Sequence, residues 1–261
     1  MMIIVCSSVP PKTTESTTQA VTETPLVTDA ISCQFTNGET TLTEKLNTII
    51  GKNENVYMAD INGDGIGDLN GITEKLPYIR DMIASHEYDY LIAGIHFLGT
   101  WGFDASADDW APLSFEEKCA LYERYYRTMT RMAETRLFHI VAHPDLIKIF
   151  SVDDFNRWLD RPCAMELVRE ALIAVRDAGM AMEISIAGTR KPCREIYPGP
   201  RILRLARELG LSITFASDSH ATEHVAYNFD ELARYAAAEG WTESLVFSRE
   251  GVSAMPFVDE L

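Results

Sequence analysis

Four side chains of metal-ligating type lie at or just after the ends of strand-like segments. His96 and His143 end two such segments, and Asp218 and His220 directly follow a third. Because Asp218 and His220 are two positions apart in an extended stretch, their side chains can point the same way. A single strand-end histidine could equally be a hydrogen-bonded structural residue, but convergence of four donors from three strands favours a metal site.

The mixture of imidazole and carboxylate donors defines the chemistry to expect. Such donors suit zinc, iron or manganese. Ions of this kind acidify a bound water and hold a phosphoryl group. The pattern therefore indicates a divalent transition-metal cofactor and hydrolysis of a phosphate ester.

A second candidate cation site lies earlier in the chain, in the run DINGDGIGDLNG. Its oxygen donors follow the order of an EF-hand-type calcium loop through the ninth position, and Gly65 permits the sharp turn. The donors are Asp60, Asn62, Asp64, the carbonyl of Ile66, and Asp68. The twelfth position is Gly71 instead of Glu, so an Asx- and Gly-rich turn without an ion is the alternative.

The elements that must position the transition-metal donors alternate between strand and helix. Strand patterns cover residues 89–97, 138–143, 181–187, 212–217 and 244–248. Helix signals include a capping box at Ser114 and Glu117, a start at Ser151, and a helix from Pro200 that ends before Gly210. This alternation predicts an α/β fold with a parallel sheet, an incomplete or distorted TIM-like barrel. Five strands cannot close a barrel, so either the first 80 residues supply strands or one side stays open.

Composition divides the chain into three predicted parts. Residues 1–30 are rich in Ser, Thr and Pro and read as a disordered leader, with a lipoprotein stalk as the alternative. Residues 31–80 form a small segment with the calcium-type loop, and residues 81–261 form the phosphoesterase domain.

Charge and cysteine content limit the partners. The chain has 23 basic and 39 acidic residues, a formal charge of −16, which disfavours nucleic acid but allows a small phosphate ester. Five scattered cysteines suggest reduced thiols, and no stretch is long and apolar enough for a bilayer. We expect a cytoplasmic protein without membrane contact. The sequence does not define its oligomeric state.

Several runs of the chain resemble successive blocks of the histidinol phosphatases of the PHP (polymerase and histidinol phosphatase) family. These runs are YDYLIAGIHFLGTWGFD, FHIVAHPDLIK, MEISIAGTRKPCREIYP and ITFASDSHATEHVAYNFDELARYAAAEGW. The resemblance covers about residues 80–261. It implies a distorted (β/α)7 barrel with a trinuclear metal centre that hydrolyses L-histidinol phosphate to L-histidinol and phosphate in histidine biosynthesis. Separately, DINGDGIGDLNGITEKLPYI resembles the calcium loop of the α-amylase family, without that family's catalytic motifs.

The resemblance assigns roles to individual residues. It implies that His96, His143, Asp218 and His220 are metal ligands, with Asp218 and His220 at the catalytic centre. It also implies that Arg190 binds the substrate phosphate, the alternative being an ion pair between Arg190 and Glu195. For Glu183, on the third strand, an orienting role is expected instead of direct ligation. His139 and His224 are expected to be surface or supporting residues, although either could substitute as a ligand.

The N-terminal part of the chain lacks motifs that the family resemblance implies. Family members begin with a His-x-His motif, followed by a second-strand histidine and a bridging glutamate, and none of these precedes residue 89. The front is either an unrelated segment joined to a C-terminal family fragment, or a new module that replaces the first strands. Such a module could supply ligands such as Asp60 or Asp64 to the shared centre. Strong loss of activity is the expectation if the chain acts alone with the family's first ligands missing. Two other functions stay open: a phosphoesterase for another small phosphate, and a non-catalytic calcium-binding protein on a decayed barrel.

Overall fold

A computed structural model describes residues 2–6, 56–60, 69–99 and 101–257. Its strands are β1 Met2–Cys6, β2 Val56–Asp60, β3 Tyr90–Gly94, β4 Phe97–Leu98, β5 Trp101–Gly102, β6 Ile140–Val141, β7 Ala181–Ser185, β8 Ile213–Ala216, β9 Glu243–Ser248 and β10 Gly251–Pro256. Its α-helices are α1 Leu69–Ala84, α2 Phe115–Glu134, α3 Val152–Leu159, α4 Pro162–Asp177, α5 Pro200–Glu208 and α6 Phe229–Ala238.

The principal sheet has six strands in the order β2-β1-β3-β6-β7-β8. Strands β3, β6, β7 and β8 are parallel neighbours, as the alternation of strands and helices predicts. Strand β1 pairs antiparallel with both β2 and β3. The α/β class with a parallel sheet is thus confirmed, whereas within the described residues the sheet runs from β2 to β8 without closing into a barrel.

Helix boundaries follow local capping chemistry. Helix α2 begins with the predicted capping box, in which the Ser114 hydroxyl accepts from the Glu117 N–H and the Glu117 carboxylate accepts from the Ser114 N–H. Helix α5 begins at Pro200, and Gly210 follows its end at φ +73°, a conformation that glycine adopts without strain. Ser151 precedes α3, but its hydroxyl accepts a hydrogen bond from the Tyr122 hydroxyl at 2.8 Å instead of capping the helix.

An aromatic cluster anchors the helical layer beside the sheet. Tyr122 and Tyr126 of α2 are fully buried and contact Trp158 of α3 at ring-centroid distances of 5.4 and 5.7 Å. Trp110 lies against Tyr122 at 6.1 Å. Burial of each of these large side chains stabilises the folded state by on the order of 2 kcal/mol. The contact of Trp110 also fixes the loop before α2 against the core.

The fifth predicted strand departs from the parallel pattern. Residues Glu243–Ser248 do form a strand, but β9 pairs antiparallel with β10 in a separate hairpin. The two-residue connection Arg249 and Glu250, followed by Gly251 at φ +118°, makes this tight reversal possible. The Thr214 hydroxyl donates to the Leu245 carbonyl at 2.9 Å and holds the hairpin beside β8.

Two strands come from the part of the chain that precedes the family resemblance. Met2–Cys6, within the stretch predicted to be a leader, forms β1. Asp60 ends β2, whereas Asn62, Asp64, Ile66 and Asp68 of the predicted calcium loop lie outside the described residues. The rest of the leader, the calcium loop and the three-part division therefore stay predictions. No helix among the described residues is long and apolar enough to cross a membrane.

Candidate metal centre and active site

The candidate ligands lie at one edge of the principal sheet. His96, His143 and Asp218 each lie two residues beyond the end of their strand, after β3, β6 and β8. Glu183 lies inside β7, which is between β6 and β8. Since the carboxyl ends of parallel strands meet at one edge, these four side chains come from consecutive strands of the same rim.

His96 and His143 form the centre of this rim. Their rings pack edge to face, with centroids 4.9 Å apart and an interplanar angle of 86°. Gly94 makes the approach possible, because a Cβ there would lie 2.9 Å from Cε1 of His143 and 3.2 Å from Nε2 of His96. The glycine at the end of β3 therefore provides the space in which both imidazoles converge.

Three buried polar atoms at the rim have no hydrogen-bond partner. They are His96 Nε2, His143 Nδ1 and Glu183 Oε1. Buried polar atoms in folded proteins are nearly always hydrogen-bonded, so unpartnered donors and acceptors at one site call for an explanation. Two imidazole nitrogens and a carboxyl oxygen are donor types that bind divalent transition metals.

His143 is held rigidly at the end of β6. Its side chain is 2% exposed, its backbone has φ +25°, which is unusual for a residue with a side chain, and its carbonyl accepts a hydrogen bond from the buried Tyr125 hydroxyl at 3.1 Å. Burial, together with the nearby His96, lowers the pKa of His143 to about 4. The ring is therefore neutral at physiological pH, the state in which imidazole binds metals.

Asp218 and His220 form one unit, as their spacing predicts. His220 Nε2 lies 3.3 Å from Asp218 Oδ1. Burial alone would raise the pKa of Asp218, but the hydrogen bond with His220 holds it well below its usual value. Asp218 has φ +44°, a left-handed conformation that Asp tolerates better than most residues. The carboxylate is therefore ionised and directed by a local turn.

Glu183 has the opposite protonation behaviour. Its side chain is 4% exposed, and burial, with the charge of Asp218, raises its pKa to about 8. The backbone N–H of His143 and the Ser185 hydroxyl contact the same carboxyl group and partly offset this rise. Glu183 thus carries a proton at neutral pH and links β7 to the His143 backbone.

Asp104 contacts His96, although no pattern in the sequence identified it as a site residue. Its Oδ2 lies 2.7 Å from His96 Nδ1. Burial would raise the pKa of Asp104, but interaction with His96 keeps it below its usual value. The sequence signal was weak, because Asp104 is eight positions from His96 and does not directly follow any of the predicted strands.

Arg190 lies beside the Asp218 turn. Its Nη2 donates to the Ser217 carbonyl at 2.6 Å, and its guanidinium lies 5.4 Å from the Tyr227 ring centroid. Its Nη1 is buried without a partner. The alternative ion pair with Glu195 is wrong, since Glu195 instead accepts a hydrogen bond from Lys148 at 2.8 Å.

His139 and His224 differ in their contacts. His139 Nδ1 accepts a hydrogen bond from the Leu91 N–H at 3.0 Å, and burial lowers its pKa. This contact joins the start of β6 to β3. His224 belongs to the short 3-10 helix Thr222–His224, where its Nδ1 is buried without a partner.

The donor set fits a metal ion by its chemistry, whereas its geometry is only partly assembled. In residues 69–99 and 101–257, no three His, Cys, Asp or Glu side chains are already grouped as a metal site. The four predicted ligands lie in two pairs, His96 with His143 and Asp218 with His220. Ligation by these four residues therefore stays a prediction, supported by the unpartnered nitrogen atoms.

Comparison with known proteins finds relatives of one kind. The chain is 32% identical over 167 residues to a probable histidinol-phosphatase of Deinococcus radiodurans, which covers 64% of this chain and 60% of that protein. It is 23% identical over 170 residues to a probable histidinol-phosphatase of Schizosaccharomyces pombe, covering 62% of this chain and 54% of that protein. The chain thus spans little more than half the length of these relatives. No protein-family model matches it.

A solved structure shares the fold. The histidinol phosphate phosphatase of Lactococcus lactis, in complex with zinc, L-histidinol and phosphate, has a TM-score of 0.56 and 20% sequence identity. The match covers 69% of this chain and 67% of that one. The two sequence relatives confirm that this chain resembles histidinol-phosphatases, and the solved structure shows a similar fold.

Proposed function

We propose that this protein is a metal-dependent phosphomonoester hydrolase that converts L-histidinol phosphate and water into L-histidinol and phosphate. The observation that carries the proposal is the set of unpartnered buried donors at the carboxyl ends of neighbouring parallel strands. The names of the two curated relatives support it, as do the zinc, histidinol and phosphate bound to the Lactococcus lactis protein.

In this proposal, His96, His143, Asp218 and His220 hold a divalent ion, with zinc as the first choice and iron or manganese as alternatives. When bound, such an ion supplies a water of lowered pKa and neutralises charge on the phosphoryl oxygens. The neutral state of His143 and the ionised state of Asp218 suit both groups for ligation without further proton loss.

Arg190 contributes the positive charge that a phosphate needs. Its Nη2 is anchored by the Ser217 carbonyl, which leaves the buried Nη1 available for another acceptor. A guanidinium matches two phosphate oxygens in a fork, and a buried charge-assisted hydrogen bond is stronger than an exposed one. Arg190 thus orients the ester beside the Asp218 turn.

Glu183 acts by orientation and charge. A protonated carboxyl beside His143 adds no second negative charge next to Asp218, so the rim stays receptive to an anionic ester. The contact between Glu183 and the His143 N–H keeps the backbone of the ligand in place. Glu183 is thus assigned an orienting role instead of direct ligation.

We further propose that the sheet represents a partial PHP-type barrel and that activity is lower than in relatives with a full ligand set. The chain lacks a His-x-His motif anywhere in its sequence. The four donors named above would therefore have to work without the front ligands that the family resemblance implies. A calcium ion in the 60–68 loop is a separate proposal, tested by calcium binding to the full chain.

A substrate panel tests the function. The purified full chain is loaded with zinc, iron or manganese and assayed for phosphate release from L-histidinol phosphate, a nucleoside monophosphate and a sugar phosphate. We expect metal-dependent release with preference for L-histidinol phosphate. Hydrolysis of the other esters with none of histidinol phosphate would replace the substrate assignment with a different small phosphate, and no metal-dependent release from any ester would contradict the enzymatic proposal.

A further inference from the structure

We propose that Asp104 is a positioning residue of the candidate metal centre, one that fixes the His96 ring so that Nε2 faces the space beside His143. The inference rests on the proposed metal-dependent function and adds a residue to it. It is carried by the 2.7 Å contact between Asp104 Oδ2 and His96 Nδ1, together with the unpartnered, buried Nε2 on the other side of the same ring.

A short hairpin brings Asp104 back to His96. Strands β4 and β5 pair antiparallel, with Phe97 opposite Gly102. The Phe103 N–H then donates to the His96 carbonyl at 3.3 Å, which places the next residue, Asp104, beside the histidine. Gly99, at φ +74°, allows the turn of this hairpin. The backbone thus determines which acidic side chain reaches the ring.

Buried anchors keep the returning segment in place. The Phe103 side chain is fully buried, and its carbonyl accepts a hydrogen bond from Trp110 Nε1 at 2.7 Å. Trp110 belongs to the aromatic cluster at the start of the helical layer. Asp104 is therefore presented to His96 by a loop that is already fixed, so the contact with the ring requires no further ordering of the backbone.

The contact determines the tautomer of His96. An ionised carboxylate only accepts hydrogen bonds, so the proton of a neutral His96 ring must be on Nδ1. Nε2 then carries the lone pair, and it is directed to the side of the ring that His143 and the Gly94 gap border. Metal-binding histidines commonly donate their second ring nitrogen to a carboxylate in this way, which fixes the ring and raises its basicity.

A purely structural role for Asp104 would predict different consequences. The hairpin is already held by backbone hydrogen bonds, which do not need the carboxylate. If Asp104 merely stabilised this loop, its loss would lower stability and any effect on metal binding would not depend on His96. If Asp104 acts through His96, the effect on metal binding must disappear when His96 is removed.

A double-mutant cycle on the full chain separates these roles. Zinc dissociation constants are measured by competition with a chromophoric chelator for the wild type, Asp104→Ala, His96→Ala and the double variant. Asp104→Ala should weaken zinc binding about 10- to 100-fold, with no further loss when it is added to His96→Ala. Asp109→Ala is the matched control, because it removes the same charge from an exposed side chain of the same loop and should leave zinc affinity unchanged.

Asp104→Asn keeps the shape of the side chain and decides the case if the alanine variant does not fold. Its amide oxygen still accepts from Nδ1 without charge, so we expect a smaller loss of zinc affinity than for alanine. Wild-type affinity in both Asp104 variants, or an equal loss with and without His96, would overturn the inference. Failure of the wild type to bind zinc, or indifference of its zinc affinity to His96→Ala, would instead contradict the proposed function.

Nitrogen-15 NMR of the histidine rings tests the positioning without any metal. The metal-free wild type should show His96 protonated on Nδ1, and Asp104→Ala should shift it toward a mixture of both tautomers. A neutral wild-type His96 ring that carries its proton on Nε2 would contradict the inference whatever the zinc measurements show.

Discussion

The imidazole rings of His96 and His143 meet edge to face directly over Gly94, with their centroids 4.9 Å apart. The two histidines are 47 positions apart in sequence, and parallel pairing of β3 with β6 brings them together. One ring is directed by Asp104, and the other is fixed by the buried Tyr125 and by its own unusual backbone. Both rings are therefore fixed at the edge of the sheet, and substitutions there test the candidate site.

Gly94→Ala should separate the two rings. The added Cβ would lie 2.9 Å from His143 Cε1, a distance that real Cβ atoms do not tolerate, and the buried His143 ring has little room to move. We expect zinc affinity to fall at least about 10-fold. Unfolding by urea, followed without metal, should show a loss of about 1 to 3 kcal/mol. Unchanged zinc affinity would mean that the space between the rings is not used by a metal.

Arg190→Lys should weaken binding of phosphate even though the charge is kept. A lysine ammonium cannot both donate to the Ser217 carbonyl and present a second, fixed N–H to the ligand. Inorganic phosphate, tested by calorimetry on the zinc-loaded protein, should bind about 10- to 100-fold more weakly. Arg194→Lys, in the same loop but exposed, is the control and should bind phosphate as the wild type does. Equal effects of the two substitutions would argue against a phosphate role for Arg190.

Lys148→Met should destabilise the fold. The Lys148 ammonium is 1% exposed and lies 2.8 Å from both Asp145 Oδ2 and Glu195 Oε2, and the Gly199 N–H donates to the same Asp145 oxygen. Removing the lysine leaves the fully buried Asp145 without its cation, which should cost about 3 to 5 kcal/mol. Urea unfolding of the metal-free protein measures this cost.

The matched control for that substitution is Lys118→Met. Lys118 lies 2.7 Å from Asp154, but these two side chains are 17% and 31% exposed, against 1% and 0% for Lys148 and Asp145. Exposed pairs contribute little, so we expect a loss below about 1 kcal/mol. Similar losses for both lysines would show that the Lys148 cluster is solvated and not a buried ion pair.

Local patterns predicted much of the fold. Strand periodicity located β3, β7 and β8, and capping chemistry located the starts of α2 and α5, because these signals depend on neighbouring residues. The direction of β9 depended on the hairpin turn at Arg249 and Glu250, whose partner strand carried no separate prediction. The sequence therefore predicted the element and not its pairing.

The sequence likewise predicted some residues of the candidate site and not others. Placement at strand ends identified His96, His143 and Asp218, since the topology of a parallel sheet brings such residues together. The sequence did not predict Asp104, because only the folded hairpin brings it to His96. The link from Lys148 to Glu195 also escaped it, since it joins residues 47 positions apart through side chains alone.

Metal content of the purified full chain tests the central claim most directly. Elemental analysis should find about one zinc, iron or manganese ion per chain in the wild type, and a clear loss in His96→Ala and in Asp218→Ala. Wild-type protein without any of these metals, even after incubation with zinc and removal of the excess, would contradict a metal centre at this edge of the sheet.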